Sequence, residues 1–101
     1  MAQYRIKAIS HSGRFGNRGT ARTDGRYPKR IGRIVELEYK KLFLGIPLIL
    51  TYIKDENGND YSGMYLRCSR IQSIHFVTEK LFVVETMNSI YEFEEVGEEN
   101  G

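Results

Sequence analysis

Apolar and polar residues alternate with a period of two along most of the chain, the pattern of strands with one buried face. Tyr4 to Ser10 sets Tyr4, Ile6 and Ala8 against Arg5 and Lys7. Ile31 to Tyr39 resumes the alternation, with Ile31, Val35, Leu37 and Tyr39 on one face and Glu36, Glu38 and Lys40 on the other. An apolar bridge, LFLGIP, leads into Leu48 to Lys54, and Asn57-Gly58 then supplies a hairpin turn toward Tyr61 to Ser69. Arg70 to Val77 is β-rich but mixed in polarity, and short polar turns separate it from Leu81 to Thr86 and that strand from Ile90 to Phe93. No segment carries a convincing 3.6-residue period.

These signals predict an all-β domain of about six short antiparallel strands. Closure removes exposed edges from so small a sheet, so the expected architecture is an SH3-like or Sm-like barrel, with an OB-like barrel as the alternative. A length of 101 residues supports one core. The domain is expected over 1–95, with 96–101, the end of EEVGEENG, as an acidic disordered tail.

One stretch departs from the alternation. Residues 11–33, HSGRFGNRGTARTDGRYPKRIGR, hold five glycines and Pro28, a density that argues against any helix. Gly32, at the start of the next strand, reads as a bulge or barrel corner. Irregular loops of this length in small domains are functional or disordered.

Charge makes the same stretch the candidate site. The formal net charge is +2, yet residues 1–41 carry eleven Lys or Arg against three acids and residues 42–101 four against ten, balances of +8 and −6. Arg14, Arg18, Arg22, Arg26 and Arg30 recur every fourth residue, joined by Lys29 and Arg33. In an extended ribbon that even spacing returns every guanidinium to one face, forming a comb for phosphate groups. Phe15 and Tyr27 add surfaces that stack on a base or lie under an arginine. Solubility alone would not select arginine over lysine, whereas phosphate or stacking geometry does. The bland alternative is a solvated loop, or one that pairs with the acidic strands of its own chain.

Other chemistry is poorly supported. His11 and His75 have no partner at ligand spacing, Cys68 is alone and reads as an inert core thiol, and Glu94-Glu95 and Glu98-Glu99 sit where rigid positioning is lacking. No phosphate-loop, dinucleotide, nucleophile-elbow or zinc-protease motif occurs. The expectation is therefore a protein that is not an enzyme and needs no cofactor or metal. With no apolar run near 20 residues, no membrane partner is expected, and a lone cysteine fits a reducing, cytoplasmic setting.

The closing hairpin LFVVETMNSIYEF, through Thr86, Asn88, Ser89, Tyr91 and Phe93, together with YPKRIGRIV, resembles small uncharacterised β-barrel proteins of phages and mobile elements. It covers about the C-terminal fifth of the chain and designates no site. The resemblance implies a small protein that binds a host factor or a signalling nucleotide. The leading expectation is a non-catalytic module whose Arg-rich loop captures an anionic, phosphate-bearing ligand, either nucleic acid or a signalling nucleotide sequestered in an anti-defence role. The alternative is a protein-interaction or inhibitor module, acting on a host protein or on further copies of itself as a homo-oligomer through charge-complementary and apolar surfaces.

Overall fold

The computed structural model describes residues 2–98. Its elements in chain order are β1 (Ala2–His11), α1 (Tyr27–Arg30), β2 (Ile34–Leu37), a single 3₁₀ turn (Tyr39–Lys41), β3 (Pro47–Lys54), β4 (Tyr65–Phe76), β5 (Leu81–Thr86) and β6 (Ser89–Glu98). Each strand pairs antiparallel with the next, and β6 returns to β1, so the six strands close into a barrel. The expected small antiparallel barrel with a long basic loop after its first strand is thus the observed architecture.

The barrel interior is filled by alternate residues of every strand. Ile6, Val35, Leu48, Leu50, Ile71, Phe82, Val84 and Phe93 are wholly or almost wholly buried, and Tyr4 packs edge-on against Phe82 with ring centroids 4.9 Å apart. Burying each such side chain contributes about 1.5–3 kcal/mol before ordering entropy is counted. Register shifts move the inward positions. On β1 the shift between Ile6 and Ala8 turns Ile9 inward, where simple alternation placed Ala8.

Four expectations need correction. Tyr61–Ser69 and Arg70–Val77 are not two strands, because β4 runs unbroken from Tyr65 to Phe76, pairing with β3 through its first half and with β5 through its second. Its mixed polarity reflects that change of partner at the irregularity between Ile71 and Ser73. The strand expected from Ile31 begins only at Ile34, since Gly32 holds a φ of +92° that an extended path does not allow. Ile31 is left exposed. The residues after Phe93 do not fray, because Glu94 to Glu98 continue β6 beside Ala2–Arg5, helped by an Arg5–Glu94 ion pair at 3.6 Å. Of the tail placed at 96–101, Val96 to Glu98 are therefore strand, and 99–101 lie outside the described residues.

The fourth correction concerns residues 11–33. A one-turn helix, α1, does form there, because YPKR contains no glycine and Pro28 presets the backbone of the first turn.

Candidate functional site

The loop from Ser12 to Arg33 is not an extended ribbon. Residues 19–22 fold back along the end of β1, where Gly19 N–H donates to His11 O (2.9 Å), His11 N–H to Thr20 O (2.8 Å) and Arg22 N–H to Ile9 O (2.9 Å). Gly16 lies against the His11 ring, where a Cβ would come within 2.8–2.9 Å of the ring atoms and force the ring to shift. Ser12 Oγ then donates to Met87 O (2.7 Å), tying the loop to the β5–β6 turn.

The arginines consequently do not share one face. Arg22 turns inward and is buried, although it is the residue whose spacing placed it at the centre of the comb. Its guanidinium grips Asp24 through Nε (3.1 Å) and Nη2 (2.6 Å), while Nη1 donates to Asn88 O (3.0 Å) and Ser89 Oγ (2.9 Å). Arg18 is exposed but forms a bidentate pair with Glu85 on β5. Arg14 lies over the exposed ring of Phe15, 5.3 Å from its centroid, and Lys29 is exposed on α1. Three of the expected ligand arginines, Arg18, Arg22 and Arg33 (the last with Glu56), thus spend their charge on this chain's own acids.

These pairs set a pH dependence. Hydrogen bonds from Arg22 hold the Asp24 carboxylate below its ordinary range, and those from Arg18 do the same for Glu85. Both acids therefore add stability that is complete above their unfolded values, from about pH 5 upward, and is lost as pH falls through their depressed folded values. Hydrogen exchange at pH 6 and pH 3, corrected for intrinsic rates, is expected to show Gly19 and Arg22 amides losing protection on acidification before Val84 does. Parallel loss at all three amides would mean that the carboxylates do not hold the loop.

The remaining members converge. Arg26, Tyr27, Arg30 and Arg33 border a groove whose opposite wall comes from β3, β4 and the turns around them. Tyr27 contacts two guanidiniums, Arg22 at 3.9 Å and Arg30 at 4.6 Å from its ring centroid. Arg33 lies 5.1 Å from the rings of both Tyr52 and Tyr61 and bonds Glu56 through Nε (3.1 Å). The groove comprises two hollows of about 190 Å³ each that share Arg30 and Leu66. One is bounded by Arg26, Arg33, Tyr52, Tyr61 and Tyr65, the other by Tyr27, Arg67, Ser69, Thr86 and Asn88. Among the described residues, Arg26, Arg30 and Arg67 have no carboxylate partner.

Sequence reasoning missed the β3–β4 side of this groove. Tyr52, Tyr61 and Tyr65 cluster around the Asn57-Gly58 turn, a signal that was present but read only as strand composition. Arg67, Ser69 and Asn88 reach the site through barrel closure, which no local pattern encodes.

Cys68 borders the second hollow, its thiol 3.5 Å from the Tyr91 hydroxyl, and burial pushes that thiol up, away from a reactive thiolate. Among the described residues no group of three or more His, Cys, Asp or Glu side chains comes together as a metal-ligand set, and no helix is long and apolar enough to cross a membrane.

Fold and groove together define a small closed antiparallel β-barrel that carries an arginine- and tyrosine-lined cleft. No family model, no curated protein and no solved structure matches the chain.

Proposed function

We propose that this protein is a non-catalytic binding module that captures a nucleotide or nucleic-acid strand through its phosphate and base. The observation that carries this reading is the placement of Arg26, Arg30 and Arg67, none with a carboxylate partner among the described residues, around hollows walled by tyrosines. Guanidinium offers a planar pair of donors matched to phosphate oxygens, and a neighbouring aromatic face stacks on any base. Tyr65, well exposed at the rim, supplies such a face.

Tyrosine fluorescence tests it directly, because the chain has seven tyrosines and no tryptophan. Titration with nucleoside monophosphates and with a short single-stranded oligonucleotide at low salt is expected to change that emission saturably. Raising the salt is expected to weaken the oligonucleotide complex steeply as the counterion-release advantage shrinks. The absence of any saturable change with either ligand at low salt would refute the reading.

Exposed Phe43, Leu44, Ile46 and Ile49 around the LFLGIP segment favour a second reading, a protein contact through that face. Such a contact would survive substitutions at Arg26 and Arg30 that remove nucleotide binding.

A further inference from the structure

We infer that the ligand of this site is a single strand of nucleic acid rather than a free nucleotide, with successive units of the strand entering the two hollows and their linking phosphate crossing at Arg30. This rests on the nucleotide-binding reading above and narrows its ligand class.

The division of the cleft is the first support. Each hollow is about 190 Å³, below the roughly 300–1,000 Å³ of sites that enclose a whole small molecule. They are separate cavities set side by side, with Arg30 and Leu66 as the wall between them. A compact ligand enters one and leaves the other unused. A chain of repeated units occupies both, its linker lying over the shared wall.

Charge repeats along with the cavities. Each hollow has an arginine of its own that engages no carboxylate among the described residues, Arg26 on the tyrosine side and Arg67 on the other, and Arg30 borders both. Three uncompensated guanidiniums therefore follow one another across the two hollows in the order Arg26, Arg30, Arg67. A nucleoside monophosphate brings one phosphate to them, whereas a strand brings one with every unit. Arg30 is held at the shared wall by the Tyr27 ring, 4.6 Å away at its centroid.

The β4 strand joins the two hollows. Tyr65 and Arg67 stand two residues apart on it, so both project from one face at a separation of roughly 6–7 Å along the strand, and both are exposed. Tyr65 borders the first hollow and Arg67 the second. An exposed ring next to an unpaired guanidinium is the pairing of stacking surface and charge that single-strand sites use. Room for the second hollow comes from the pairing pattern: up to Arg70, β4 has β3 on one side, and its pairing with β5 begins only at Ile71.

The test measures affinity of the full chain by calorimetry at low salt for thymidine monophosphate, thymidine triphosphate and the 5′-phosphorylated thymidine dinucleotide, with the matching uridine series alongside. The dinucleotide is expected to bind about tenfold or more tightly than the monophosphate in at least one series, and the tighter series identifies DNA or RNA as the source. The triphosphate supplies charge without a second unit and is expected to fall short of the dinucleotide. Arg67→Ala is expected to bring the dinucleotide within about threefold of the monophosphate while leaving the monophosphate nearly unchanged, and Arg67→Gln, which keeps most of the stem, is expected to do the same. With a thymidine octanucleotide, either variant is expected to lower the slope of log affinity against log salt by about one. A dinucleotide no tighter than the monophosphate in both series, a triphosphate that matches it, or a gain that survives both Arg67 variants would overturn the inference while leaving nucleotide capture standing. Failure of every nucleotide and strand to bind would instead remove the underlying reading.

Discussion

Replacing Arg22 with alanine is expected to lower the melting temperature by about 10–25 °C, which corresponds to roughly 2–4 kcal/mol in a domain of this size. The side chain makes four hydrogen bonds, two of them to a carboxylate, and bonds to charged groups contribute about 1.5–3 kcal/mol each when measured singly. Because Asp24 stays half-exposed, its loss of a partner costs less than the ~3–5 kcal/mol typical of breaking a fully buried pair. Arg22→Lys is expected to recover little, since an ammonium cannot reproduce the planar fork to Asp24 while also reaching Asn88 and Ser89. Thermal unfolding followed by circular dichroism checks this, and a shift of only 2–3 °C would show that the fork is not what pins the loop. It also follows that weakened ligand binding in an Arg22 variant would report a displaced loop rather than a lost ligand contact.

The complementary result is expected from Arg26→Ala combined with Arg30→Ala. Among the described residues neither guanidinium has a carboxylate partner, so the double variant is expected to melt within a few degrees of the parent while nucleotide affinity falls by roughly 10²–10⁴-fold, about 3–6 kcal/mol for two charge-assisted phosphate contacts. With an oligonucleotide, the slope of log affinity against log salt is expected to drop by about two. Calorimetry on the parent and the double variant decides it, and an affinity within threefold of the parent would exclude these two arginines from the site.

Much of the barrel could be read from alternation because most strands keep one neighbour on each side. Leu81–Thr86 matched its expected bounds, and β3 differed from its expected start by one residue. Legibility failed where geometry depends on distant partners. The long β4 changes partner midway, so its inward face changes too, and the acidic end of β6 looked like a tail until Ala2–Arg5 was laid beside it. The site divided in the same way. Local composition drew attention to the 11–33 arginines, and of these Arg26, Arg30 and Arg33 line one hollow while Tyr27 and Arg30 line its neighbour. Spacing could not say that Arg22 would be drawn inward by Asp24, Asn88 and Ser89, or that Arg18 would be neutralised by Glu85. Those partners lie up to 67 residues away.

The seam where β6 meets β1 joins the two ends of the sequence, and such long-range closures form late because the intervening chain must be ordered first. Arg22 straddles that seam, anchored on one side to Ile9 and on the other to the turn at Asn88. A partly zipped barrel therefore has no groove, since neither the α1 wall nor the Asn88 wall is yet in place. A ligand of this groove would act as a latch on the finished fold alone, slowing the first step of opening and leaving the rate of assembly untouched.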